Sequence, residues 1–172
     1  MGATDSIGWR ARLRRFVVPE RRWRYWLRVA AVGLGAWLFF GFICRPAWVH
    51  GASMEPTYRD GRLIFCWRQR YRWRAPRPGD VVMVRLAGER VMLLKRVVAV
   101  AGDTVEFRGG VLYVNDAARS EPYVRGPCTW ELPPRQVEAG ELYVVGDHRA
   151  MPLEEHKLGR VAASRVAGGP WW

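Results

Sequence analysis

Val105-Glu106-Phe107-Arg108-Gly109-Gly110-Val111-Leu112-Tyr113-Val114 decides the fold. Two runs rich in β-branched and aromatic residues flank a Gly-Gly pair, and residues free to take positive φ are what a tight hairpin turn requires. Further strand-like runs lie on either side. Arg62-Leu63-Ile64-Phe65-Cys66-Trp67 is one, and Val81-Val82-Met83-Val84 follows the turn Arg77-Pro78-Gly79-Asp80. Val91 to Val100 is a longer β-branched run, and Leu142-Tyr143-Val144-Val145 leads into Gly146-Asp147. Short strands at close spacing, with few helix-length periodic segments, predict a mainly β, compact domain of coiled antiparallel or mixed sheets.

One stretch breaks this pattern. Tyr25 to Cys44, YWLRVAAVGLGAWLFFGFIC, is all but uncharged and has the length of about 20 residues that a helix needs to cross a bilayer core. Its single charge, Arg28, lies one turn from the start, where a long side chain can snorkel. Trp23, Tyr25 and Trp26 at one end and Trp48 beyond the other suit interfacial aromatic belts. A cleavable leader would have a shorter apolar core and a small-x-small cut site, whereas this run ends in bulky Phe-Phe-Gly-Phe-Ile. The expected organisation is therefore a basic arm over 1–24, a transmembrane helix over 25–44 and a β-rich domain over 45–172. Arg45 to Gly51 is then a short tether.

Lys+Arg 28 against Asp+Glu 16 gives a net charge of +12, which calls for an anionic partner, nucleic acid or lipid. The position of the charge separates the two. Arg10, Arg12, Arg14, Arg15, Arg21, Arg22 and Arg24 crowd ahead of the span against only Asp5 and Glu20, and Arg45 alone follows closely. The positive-inside rule puts the N-terminus in the cytoplasm and the β domain outside. Trp67-Arg68-Gln69-Arg70-Tyr71-Arg72-Trp73-Arg74 alternates aromatic with basic residues. Base stacking is one reading of it; contact with anionic headgroups or a charge-protected edge strand fits a tethered domain better. The terminal Pro170-Trp171-Trp172 suits the interface too. No nucleic acid is expected.

The chemistry centres on Gly51-Ala52-Ser53-Met54-Glu55-Pro56-Thr57, just past the span. A serine hydroxyl needs a positioned base before it attacks a carbonyl. Lys95, in Leu93-Leu94-Lys95-Arg96-Val97-Val98, is flanked by apolar residues, and desolvation drives an ammonium toward its neutral form. Cys66 and Cys128 are the only pair available to a soluble domain, with Cys44 at the end of the span. Neither these cysteines nor His50, His148 and His156 make a metal-ligand spacing, so no metal or other cofactor is expected.

Ser-Met-x-Pro-Thr, then Lys-Arg-Val-Val, then Gly-Asp, in this order, resemble the type I signal peptidases (leader peptidases), over roughly residues 25 to 161. The resemblance implies a membrane-anchored serine endopeptidase of the cytoplasmic membrane that removes signal peptides from exported preproteins. Ser53 would be the nucleophile, Lys95 the general base and the Ser53 backbone N–H the oxyanion donor. His50, Gly51, Ala52, Met92, Leu93 and Leu94 would line the substrate site, with the family's preference for small residues. Some relatives carry a serine two positions before the nucleophile; this chain has Gly51. Gly146-Asp147-His148-Arg149-Ala150-Met151-Pro152-Leu153-Glu154-Glu155-His156 resembles the family's Gly-Asp-Asn-Arg-x-x-Ser-x-Asp-Ser-Arg. Pro152 replaces a serine that orients the lysine, Glu154 an aspartate and His156 an arginine. Arg96 with Asp147, and Glu154, are the expected supporting ion-pair groups. A specialised relative maturing a pilin or one dedicated substrate, and a catalytically inactive membrane-anchored binding module, are the alternatives. Self-cleaving repressor-type Ser/Lys peptidases fit less well, because the chain has a span and no DNA-binding segment.

Overall fold

The computed structural model describes residues 23–85, 92–156 and 159–171. The expected arm up to residue 22, Val91 and Trp172 lie outside the described residues. Helix α1, Trp23–Leu38, is continued by a π-turn, Phe39–Ile43, and none of its residues is buried. Trp23–Ile43 has a mean hydropathy of 1.7 and the length to cross a membrane. It divides from the rest of the chain near Phe39.

From Phe40 onward the chain is two antiparallel sheets. The larger contains β1 (Cys44–Trp48), β2 (Leu63–Trp67), β3 (Val81–Arg85), β4 (Met92–Val100), β9 (Glu141–Val145), β10 (Gly159–Ala162) and β11 (Val166–Pro170). Their spatial order is β1-β2-β11-β3-β4-β9-β10. The smaller sheet orders β5 (Thr104–Arg108), β6 (Val111–Val114), β7 (Ala117–Ala118) and β8 (Leu132–Gln136) as β7-β6-β5-β8. The β5–β6 hairpin turns at Gly109 and Gly110, with φ of 52° and 78°. Two consecutive positive φ angles match the right-handed twist of the strands they join. The β6–β7 turn repeats the device with Asn115 and Asp116, at φ 55° and 61°.

β4 is central and covered on both faces, so Val97, Val98 and Ala99 are all buried. Val98 and Ala99 join Phe107, Leu112, Val114 and Trp130 in one core; Val97 joins Val82, Val84, Leu142 and Val144 in another. Phe107 meets Trp130 edge to face at 5.3 Å between ring centres. Losing either ring costs about 3–5 kcal/mol on the usual scale for large core aromatics.

Two expectations are corrected. Arg45–Trp48, read as tether, belongs to β1, an edge strand paired with β2 along its whole length; Pro46 is tolerated there because an edge strand has a side free of ladder bonds. The aromatic-basic run is not a strand: β2 ends at Trp67, and Arg68–Arg74 forms turns. Its arginines are recruited locally, Arg70 donating to the Pro170 carbonyl at 2.6 Å and Arg74 forking onto Asp80 at 2.7 and 3.1 Å. Whether Cys66 and Cys128 pair is open from the sequence alone. Cys44, Cys66 and Cys128 are all free, with Cys66 in β2 and Cys128 beside the β5–β6 hairpin at Gly110.

Candidate active site

A 3₁₀ turn, Ala52–Met54, carries Ser53. The chain enters it through Gly51 at φ 90°, a conformation that side chains with a Cβ rarely adopt, and the Gly51 N–H donates to Asp60 Oδ1 at 2.8 Å. The absence of a serine at 51 thus goes with the backbone this turn uses. Met54 is buried among Val49, Tyr58, Ile64 and Val81, so Ser53 sits half-buried above a packed floor.

Lys95 lies opposite Val82 in the β3–β4 ladder, and only 1% of it is exposed. The turn bearing Ser53 packs against β4. A lysine at this depth is rare, because desolvating an ammonium is costly.

The segment after β9 closes the site. His148 N–H donates to the Ser53 carbonyl at 3.1 Å, and His148 Nδ1 lies 3.2 Å from the Ala52 carbonyl. A Cβ on Gly146 would stand 2.1 Å from the Ser53 carbonyl oxygen and 2.3 Å from His156 Cε1, so this approach needs glycine. His156 is buried edge-on to Trp130 at 4.7 Å, with neither ring nitrogen hydrogen-bonded among the described residues. Burial, reinforced by the nearby charges of Lys95, Arg149 and His148, pushes its pKa down to about 4. Its imidazole is therefore neutral, and close enough to Lys95 to feel that amine's charge.

Two buried ion pairs brace this segment. Arg96 holds Asp147 through Nε at 2.8 Å and a terminal nitrogen at 2.6 Å. Thr57 Oγ1 donates to the same carboxylate at 2.6 Å, tying the chain after Ser53 to β4. The Arg96 guanidinium also lies 3.8 Å from the Tyr123 ring centre. Arg149, fully buried, donates to both oxygens of Glu121 at 2.6 and 2.5 Å and to the Gly146 carbonyl at 3.0 Å. Glu121 is the carboxylate that sequence reading missed. Glu154, expected to support the site, is exposed on the 3₁₀ turn Leu153–Glu155 and makes no ion pair among the described residues. Glu121 carries no motif of its own; only the long loop between β7 and β8 brings it under Arg149.

Of the expected substrate walls, His50, Gly51, Met92, Leu93 and Leu94 line one small cavity with Ser53, and Ala52 is the residue beside it in the turn. Met92–Leu94 pair with β3 on one side, while β9 begins pairing only at Arg96. Among the described residues that leaves a strand edge open to an extended peptide.

The family described as signal peptidase, peptidase S26 matches residues 22–170. A signal peptidase I of Bacillus licheniformis is 33% identical, covering 77% of each chain. The signal peptidase I of Bacillus amyloliquefaciens is 30% identical over 81% of this chain and 78% of its own. Thylakoidal processing peptidase 1 of Arabidopsis thaliana is 29% identical over 76% of this chain, which spans 42% of that longer relative. A crystal structure of a signal peptidase I from Enterococcus faecalis V583 aligns with 56% of this chain and 97% of its own, at 23% identity and a TM-score of 0.46. With a match over nearly all of its length and a relative at 33% identity, the chain belongs to the signal peptidase, peptidase S26 family.

Proposed function

We propose that this protein is a membrane-anchored serine endopeptidase that removes signal peptides from preproteins, with Ser53 as nucleophile and Lys95 as general base. The observation that carries this reading is the burial of Lys95 on the strand against which the Ser53 turn packs. Burial disfavours the ammonium, and a neutral amine can take a proton. In the first step the amine accepts the Ser53 hydroxyl proton as Oγ bonds the scissile carbonyl carbon. The Ser53 backbone N–H donates to the developing oxyanion. The ammonium then returns its proton to the leaving amine nitrogen as the C–N bond breaks, leaving an acyl-serine. Water, giving a proton to the same amine, hydrolyses that ester. Base catalysis of this kind contributes on the order of 10²–10⁴ in rate.

Gly51 provides no hydroxyl to the oxyanion and Pro152 none to the lysine, so the Ser53 backbone donor works without a side-chain hydroxyl at 51 and the lysine is steadied otherwise. Buried, neutral His156, whose titration responds to the charge of Lys95, is the group we assign to the second task. The Trp23–Ile43 helix supports membrane anchoring, and the arginines before it support a cytoplasmic N-terminus with the peptidase domain on the outer face. Detergent-solubilised protein incubated with a preprotein tests the reading. Cleavage by wild type and none by Ser53→Ala is expected; equal product from both, or from neither, overturns it. The latter outcome would leave the binding-module alternative, and the cut-site preference would separate a general from a dedicated enzyme.

A further inference from the structure

The cavity at Ser53 does not end there. It shares Ala47, Trp48, His50, Met83 and Met92 with a neighbouring groove of about 410 Å³ that runs over the face of β1, β2 and β3. Arg45, Arg68 and Arg85 line that groove. Their placement follows from register. Arg45 stands opposite Cys66 in the β1–β2 ladder, Arg68 follows β2 two residues on from Cys66, and Arg85 closes β3 opposite Met92. Burial pushes the Cys66 thiol up to about 11, and the charges of Arg68 and Arg45 act against that rise. None of the three arginines makes an ion pair with a carboxylate among the described residues; Arg68 donates only to the Gly41 carbonyl, at 3.1 Å. Elsewhere, arginines bordering this sheet are matched, Arg70 and Arg74 with Asp80 and Arg160 with Glu138. Three guanidiniums in one groove, without a carboxylate partner among the described residues, repel one another, and an anion entering it relieves that repulsion.

We propose that this groove is a distal subsite that selects substrates bearing an acidic side chain several residues from the scissile bond. The inference rests on the peptidase reading above. Continuity with the Ser53 cavity favours the substrate over a lipid headgroup as the anion, because an extended peptide lying along Met92–Leu94 or β1 passes directly from one cavity to the other. From Ser53 back to Arg45 the chain spans eight residues, two of them in the 3₁₀ turn. At about 3.3 Å per extended residue, the acid falls roughly four to seven residues from the cut.

The test uses the full-length protein in neutral detergent and a peptide made from a preprotein cleavage region. Each of the seven positions on either side of the cut carries Glu, Gln or Lys in turn. The expected result is a three- to tenfold higher kcat/KM for Glu than for Gln at one or two positions, with Lys the poorest, the difference shrinking as salt is raised. In Arg45→Glu/Arg85→Glu the order of Glu and Lys should invert at those same positions. Equal rates for all three residues at every position overturn the subsite, while Ser53-dependent cleavage of the Gln peptides leaves the peptidase reading intact. A charge preference that is absent in detergent, with the double variant impaired only on vesicles of phosphatidylglycerol, assigns the arginines to lipid and equally overturns it.

Discussion

Arg96 and Asp147 meet side-on, Nε to one carboxylate oxygen at 2.8 Å and a terminal nitrogen to the other at 2.6 Å, both residues buried. The pair joins β4, one residue past Lys95, to the segment whose His148 N–H holds the Ser53 carbonyl. Removing one partner strands the other charge away from water. Asp147→Ala or Arg96→Met should therefore destabilise the domain by about 3–5 kcal/mol, read as a shifted urea midpoint. A double substitution to apolar residues should cost less than the two single changes added together.

Activity should follow the protonation of the base. If Lys95 is the base it works deprotonated, so kcat/KM should climb as pH rises, with no falling limb from His156, which is already neutral above pH 5 or so. Lys95→Met should remove cleavage while leaving the thermal midpoint unchanged or raised, because the buried amine is replaced by an apolar chain of similar length. Full cleavage by Lys95→Met would end the dyad proposal.

His156 makes acid stability testable on its own. Its pKa falls from 6.5 in the unfolded chain to about 4 in the fold, so the unfolded chain binds the proton first. Its contribution is intact above pH 6.5 and is lost as pH drops through 4, amounting at most to roughly 3 kcal/mol. His156→Phe, which keeps a ring against Trp130, should flatten this part of the melting-temperature profile. The same variant should lower kcat more than it raises KM if the imidazole steadies Lys95; an unaltered kcat would sink that role.

Gly146→Ala tests the tightest contact. Its methyl would overlap the Ser53 carbonyl and the His156 ring, and the serine turn, half-exposed, has more room to yield than the buried ring. Displacing a nucleophile by about 1 Å costs on the order of 10²-fold, so kcat/KM should drop by that factor. Circular dichroism should remain that of a folded β protein.

Local chemistry in the sequence was readable where a single segment determined the outcome. Gly109-Gly110 announces its hairpin because both residues must take positive φ, and Tyr25–Cys44 announces a helix by an apolar run that only Arg28 interrupts, although Cys44 itself opens β1. Reading failed where the deciding partner is distant. Arg45–Trp48 has the composition of a linker and becomes a strand only because β2 lies alongside it. The alternation in Trp67–Arg74 is strand-like, yet Arg70 and Arg74 are drawn to Pro170 and Asp80, and the chain turns. Glu121 reaches Arg149 across 28 residues, and no pattern near either one advertises it, whereas Glu154, beside the motif, points to water.

β1 begins at the residue after the apolar span and is laddered to β2 from Cys44 to Trp48, with Val49 N–H then fastened to the Arg62 carbonyl at 2.8 Å. Cys44 to Val49 is therefore no slack cord but a stiff rail laid along β2, and Ser53 stands four residues past its end. A nucleophile at Ser53, as proposed, would then have little travel of its own, and a scissile bond would have to come to it.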